Sequence, residues 1–298
     1  MLPLLLRSLS GNCVRLNHGK ICVLSGKEET LYEIPEFPFN HIFITGRGFL
    51  SLDAIRILSD KGIPITILNL DGSIQSQITH INRYTQADSR IRLRQYETAT
   101  NPVKSKKIYD AIQAVRKHSA NDVLASINLP QVNINQPENL FSRYYFEKLL
   151  RYLSEVTGIE YTNRKIDNQH NYRATNRLNA LLNFSYHLSQ VQSRIQLIAN
   201  GLDTNVGIWH KPYLYKEPMV YDCQELIRHI SELTVLHIAH EINTKQFNTY
   251  GNREYRCNPE LIEQVIHSFY QQFNQSVFNR QIGNLRKYIS GQIKSISL

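Results

Sequence analysis

The sequence predicts an α+β protein, a small N-terminal β-rich domain over residues 1–80 followed by an all-helical domain over residues 105–298. Three observations carry this. The chain has 298 residues, about two domains at roughly 150 residues each. Its composition, 42% hydrophobic and 20% charged with 17 Tyr and 11 Phe, is that of an ordered core rather than a disordered chain. The apolar pattern also changes period, from short turn-broken runs before residue 80 to helical spacing after residue 105.

From Gly11 to Ile44, runs rich in Val, Ile, Tyr and Phe are broken by Asn17-His18-Gly19, Ser25-Gly26-Lys27, Pro35 and Pro38, the pattern of strands and turns. Ser51 is placed to cap a helix over Leu52–Asp60, with Ala54, Ile55 and Leu58 inward and Gly62 stopping it. A buried strand over Ile63–Leu68 and an Asp71-Gly72 turn into Ser73–Thr79 follow. Helical periodicity then covers Ser105–Lys117, Glu138–Val156, Ala174–Ala199, Asp222–Glu241, Pro259–Phe273 and Ser276–Ile293.

Between the two parts lies a basic linker, residues 81–104. Over 82–107, Arg83, Arg90, Arg92, Arg94, Lys104, Lys106 and Lys107 are opposed only by Asp88 and Glu97. That segment holds more than half of the formal net charge of +9, which puts nucleic acid first among partners. Cys13, Cys22, Cys223 and Cys257 lack Cys-x-x-Cys spacing, which argues against zinc ribbons, redox dithiols and a disulfide framework. No run approaches the ~20 apolar residues of a membrane span. Met1–Leu6 contains Pro3, stops at Arg7 and lacks the features of a secretion signal. The expectation is a cytoplasmic protein with no membrane association.

Gly46-Arg47-Gly48 suggests a dinucleotide turn, but Ser51 stands at the third glycine position, so a strand-to-helix turn is the better reading. His237, His240 and Glu241 fail the zinc-protease spacing, since the histidines are at i and i+3 with the acid last. The informative set is Glu138, His210, Asp222 and Glu225. Glu138 follows Pro137 at a helix start. His210 ends a glycine-bounded loop, Gly201-Leu-Asp-Thr-Asn-Val-Gly-Ile-Trp-His. Asp222 and Glu225, at i and i+3, share a helical face and also resemble an N-cap with its N3 acid; in that role an asparagine at 222 would preserve the cap. Carboxylates with one imidazole form a hard site suited to Mg²⁺ or Mn²⁺, of the kind that acts on phosphodiesters. Asn179, Asn183 and Tyr186, at i, i+4 and i+7, line one helix face and suit either a buried brace or a DNA contact.

Longer motifs carry a family resemblance: Ile44-Thr-Gly-Arg-Gly, Lys61-Gly-Ile-Pro-Ile, Pro137-Glu-Asn-Leu-Phe-Ser-Arg-Tyr-Tyr-Phe, Arg173 with Leu178-Asn-Ala-Leu-Leu-Asn-Phe-Ser-Tyr, Gly207-Ile-Trp-His and Val220-Tyr-Asp-Cys-Gln-Glu-Leu-Ile-Arg. In this order they resemble the CRISPR-associated adaptation endonuclease/integrase, the first and universal Cas family. The resemblance implies that the helical domain is catalytic, that Glu138, His210 and Glu225 are metal ligands, and that Asp222 assists them. It further implies Mg²⁺ or Mn²⁺ as cofactor, a homodimer through the β-domain, the small second adaptation protein as partner, and a role in antiviral defence. The substrate it implies is DNA, double-stranded, branched or with single-stranded ends, with Arg173 and the basic segment as expected contacts. Asn139 and His229 stand where the family usually has glycine and proline. A transposon-borne integrase of the same family and a non-catalytic DNA-binding scaffold are the alternatives.

Overall fold

The computed structural model describes residues 2–69, 72–79, 89–161, 174–211, 216–250 and 254–298. Strands β1 (Leu4–Asn17), β2 (Lys20–Ser25) and β3 (Glu28–Glu33) form an antiparallel meander, and β4 (Ile42–Leu50) and β5 (Ile65–Leu68) add in parallel on the other side of β1 before β6 (Ile74–Ile78) closes the edge antiparallel. The order is β3-β2-β1-β4-β5-β6. Local chemistry fixes the register. The β1–β2 loop is two residues, His18 and Gly19, both with positive φ (45° and 77°), which suits the twist of a tight hairpin. The parallel β4–β5 pair needs a crossover, supplied by helix α1 (Leu52–Asp60), capped by the Ser51 hydroxyl accepting from the Ala54 N–H.

Gly46-Arg47-Gly48 is not a strand-to-helix turn but lies inside β4, beside a register irregularity in β1. A Cβ on Gly48 would stand 2.7 Å from the Asn12 carbonyl oxygen. Close passage of two strands, rather than a phosphate, is what calls for glycine there.

One face of the sheet buries Leu6, Val14, Ile21, Ile42 and Ile65 with Ala54 and Leu58 of α1. Phe43 and Leu68 instead enter the core of the helical domain. The two domains are further joined by a hydrogen-bond chain: Gln192 donates to the Tyr270 hydroxyl (2.5 Å), which meets His41 Nδ1 (2.8 Å), whose Nε2 meets Thr66 Oγ1 (2.8 Å). His41 is stacked on Phe43 at 4.2 Å, and burial pushes its pKa down to about 3. The imidazole is therefore neutral, accepting at Nδ1 and donating at Nε2.

Residues 89–104, expected as linker, are helical. Helix α2 (Ser89–Thr100) and helix α3 (Pro102–Ser126) meet at Asn101, whose side chain accepts from the Val103 and Lys104 N–H groups. The inward positions of α2 are Ile91, Gln95 and Thr98, so its buried stripe is mostly polar and gives little apolar periodicity. Helices α4 (Glu138–Thr157), α5 (Arg177–Ala199), α6 (Pro218–Ile238), α7 (Pro259–Gln272) and α8 (Gln275–Ile289) complete the domain. A hairpin of β7 (Phe247–Tyr250) and β8 (Glu254–Cys257) interrupts it, so the domain is mostly rather than wholly helical; four-residue runs are too short for period alone to reveal. The four cysteines are free and three are buried. Among the described residues no helix is long and apolar enough to cross a membrane.

Candidate active site

Helix α6 packs against α3, α5 and α7 and organises the site. It begins at Pro218, not at Asp222, because proline is well suited to the first helical turn. Asp222 is therefore interior to the helix, and the cap reading is corrected. Its carboxylate, buried to 1% side-chain exposure, closes the preceding loop instead. Oδ2 accepts from the N–H groups of Ile208 (2.6 Å) and Trp209 (3.0 Å), while Oδ1 accepts from the His210 N–H (3.0 Å) and meets His210 Nδ1 at 2.7 Å. The carboxylate bond places the imidazole proton on Nδ1 and leaves the Nε2 lone pair available. That bond, against the opposing effect of burial, raises the His210 pKa.

Two further contacts hold the loop. A Cβ on Gly207 would collide with the His210 carbonyl oxygen and the Pro218 ring, so only glycine lets the loop lie this close to the helix start. Fully buried Gln95 on α2 donates to the carbonyls of Asp203 (2.8 Å) and Val206 (2.7 Å) and accepts from the Asp203 N–H (2.8 Å). The polar position that hid α2 in the sequence is the clamp on the His210 loop.

One helical turn beyond Asp222, Glu225 starts a buried charge network. Its Oε1 accepts from Arg228 NH1 at 2.7 Å and its Oε2 lies 3.5 Å from Arg116 Nε on α3. Burial pushes the Glu225 carboxyl up, but Arg228 and Arg116 outweigh this and hold it below the usual carboxylate range. Arg116 also grips Glu232, NH1 to Oε2 at 3.1 Å and NH2 to Oε1 at 2.7 Å. The hydroxyls of Tyr145 on α4 (2.6 Å) and Tyr186 on α5 (2.9 Å) donate to the same carboxylate. Glu232 has no exposed surface. Four hydrogen bonds from these three residues satisfy a charge whose burial would otherwise be costly. Tyr186 is thus a brace of the bundle, and Asn179 beside it on α5 is fully buried, while Asn183 is half-buried.

Glu138 stands at the first position of α4, exposed, with the Ser142 hydroxyl donating to Oε1 at 2.8 Å. It lines a cleft of about 340 Å³ together with Tyr109, Gln113, Lys117 and Asn135. Tyr109 connects this cleft to the loop, stacking on Trp209 with ring centroids 3.8 Å apart. Burial raises the Tyr109 phenol, and the charges of Glu138, Asp110 and Glu225 raise it further. Two carboxylates and one imidazole with a free Nε2 are the donor types a hard divalent cation takes. In kind they fit such an ion. Among the described residues, however, no three His, Cys, Asp or Glu side chains are drawn together into a closed metal shell, and both Glu225 oxygens face arginines.

The expected DNA contacts divide. Arg90, Arg92 and Arg94 are exposed on α2, and Lys104, Lys106 and Lys107 on the first turns of α3. Lys106 is paired with Asp110 at 2.8 Å. Arg83 and Arg173 lie outside the described residues. If this surface meets phosphates, neutralising Arg92, Arg94 and Lys107 together will flatten the slope of log affinity against log salt by about two to three units, at roughly 0.9 per contact; titrations at several salt concentrations check this, and an unchanged slope places binding elsewhere. His237, His240 and Glu241 are exposed and lie outside this constellation.

The sequence reading missed Gln95, Arg116, Tyr145, Arg228 and Glu232. Glu225, Arg228 and Glu232 at i, i+3 and i+7 were a visible signal on one helix face; the residues from α2, α3 and α4 gave none, because only tertiary packing brings them in.

The profile of the CRISPR associated protein Cas1 family matches residues 8–131 and 130–271, nearly the whole chain. The chain belongs to the Cas1 family. It is 21% identical over 248 residues, 74% of its own length and 73% of the relative's, to CRISPR-associated protein Cas1 3 of Methanobrevibacter ruminantium. In fold it is similar to a casposase bound to integration product (TM-score 0.79, 20% identity, covering 100% of this chain and 93% of that one). It is likewise similar to a Cas1 protein from Thermotoga maritima (TM-score 0.74, 17% identity, 99% of each chain). Solved Cas1-type neighbours include a partial Cas6-RT-Cas1–Cas2 complex (TM-score 0.61, 15% identity, 99% of this chain and 97% of that one). Glu138, His210 and Glu225 all lie in the mostly helical part of the chain, after the six-stranded sheet.

Proposed function

We propose that this Cas1-family chain is a metal-dependent DNA integrase and endonuclease of CRISPR adaptation, joining captured DNA fragments to a repeat array. The observation that carries the reading is the Asp222-held His210, its Nε2 left free beside an ionised Glu225. Glu138, His210 and Glu225 would hold Mg²⁺ or Mn²⁺. When bound, such an ion supplies Lewis-acid polarisation of a phosphodiester and charge stabilisation of its leaving oxygen. The reaction forms a bond between the 3′-oxygen of the incoming fragment and the target phosphorus, breaks the bond from that phosphorus to the target's own 3′-oxygen, and releases the nucleophile's proton; water in place of the 3′-hydroxyl gives hydrolysis. Asp222 keeps the proton of His210 on Nδ1, Arg116 and Arg228 keep Glu225 ionised, and the α2 and α3 cations steer the DNA backbone.

A homodimer through the β-domain and a Cas2-type partner belong to the same proposal, supported for the partner by the Cas1–Cas2 complex among the structural neighbours. The likeness to a casposase also favours a second reading, a transposon-borne integrase using the same residues. A repeat array and a small partner gene beside this gene select CRISPR adaptation; terminal repeats flanking it select the transposon.

The test is strand transfer in Mn²⁺ with a labelled fragment ending in a 3′-hydroxyl or in a dideoxy sugar. Joined product is expected from the hydroxyl end only. Equal labelling from both ends, or no product from either under metal titration, would reject the proposal.

A further inference from the structure

Trp209 is the single tryptophan of the chain, and the residue is 55% exposed although it sits in the loop that presents His210. Its backbone N–H is held by Asp222 Oδ2 at 3.0 Å. One indole face lies on Tyr109 at a centroid separation of 3.8 Å and an interplanar angle of 23°. The carboxylate that orients His210 therefore also fixes Trp209, and the Tyr109 ring backs it. What remains is a solvent-facing π surface, where a large aromatic side chain would ordinarily be covered. The next two residues, His210 and Lys211, are exposed as well, so the chain offers an aromatic plane, an imidazole and an ammonium in succession. The aromatic plane matches a base and the ammonium a backbone phosphate, with the proposed ligand His210 between them.

Resting on the integrase reading and deepening it, we propose that Trp209, backed by Tyr109, is a nucleobase-stacking subsite that seats one unpaired base beside the phosphodiester acted on at His210. Any of the four bases presents a π face, so the subsite selects for an unpaired nucleotide rather than for a sequence. A paired base, already stacked in its duplex, gains nothing there.

Because Trp209 is the only tryptophan, its selectively excited fluorescence reports the subsite in the intact protein. The probes are a single-stranded thymidine oligonucleotide and an abasic oligonucleotide of the same length, equal in phosphates and different only in bases. The thymidine probe is expected to quench Trp209 and to bind about tenfold more tightly than the abasic one. Trp209→Ala is expected to erase that preference while leaving abasic affinity unchanged, and Trp209→Phe to keep most of it. Equal binding of the two probes, or thymidine binding without quenching, overturns the subsite while leaving the integrase reading standing. Failure to bind these probes and duplex DNA alike overturns the integrase reading and the subsite with it.

Discussion

Glu232→Ala is expected to destabilise the protein by about 3–5 kcal/mol, the usual effect of removing one partner from a buried ion pair. The loss strands Arg116, which is 6% exposed at its side chain, and deprives the Tyr145 and Tyr186 hydroxyls of their acceptor. Denaturant unfolding should show a lower midpoint with an unchanged slope. The site should suffer too, since Arg116 also lies 3.5 Å from Glu225 and Arg228, paired with Glu225 at 2.7 Å, lies 3.9 Å from Glu232, so the loss of one carboxylate unbalances the charge around the other. Arg116→Met combined with Glu232→Leu should recover part of the lost stability, because apolar replacement of a buried pair is often neutral. A Glu232→Ala loss under ~1 kcal/mol would mean the network is not a structural keystone.

Asp222→Asn is the second large effect. As a helix cap the change would be nearly silent. In the structure, both carboxylate oxygens accept two hydrogen bonds each, and an amide must turn its NH₂ toward two of those donors. About 3 kcal/mol of stability should be lost, since buried donors left unpaired cost roughly 1–3 kcal/mol each. His210 then loses the charged acceptor that fixes its tautomer, so strand transfer should fall by about 10–100-fold, recoverable in part at high metal because the ligands themselves remain. Unfolding and a Mn²⁺ titration on the same variant check both halves. A variant with wild-type stability and metal dependence would restore the capping role.

The sheet and most helices were legible because their signals are local. Ser51 caps α1, His18-Gly19 makes a tight hairpin, and the long helices show apolar spacing at the helical period. Legibility failed where tertiary packing set the outcome. Helix α2 buries a glutamine to clamp a loop, so it read as a linker. Asp222 occupies an N-cap-like position in sequence, but Pro218 starts the helix a turn earlier and the carboxylate serves the loop instead. Gly48 answers a passing strand that no sequence window contains. Glu138, His210 and Glu225 stood out by residue type and resemblance; the arginines and tyrosines around Glu225 and Glu232 come from four helices and had no shared sequence signature.

The central claim, that Glu138 and His210 act as metal ligands rather than phosphate contacts, is tested most directly by measuring Mn²⁺-dependent strand transfer and DNA affinity together for Glu138→Ala and His210→Ala. The account predicts a rate loss of at least about a hundredfold for each, with DNA affinity within about twofold of wild type because the phosphate contacts lie on other residues. Either variant turning over near the wild-type rate with its fold intact would contradict it.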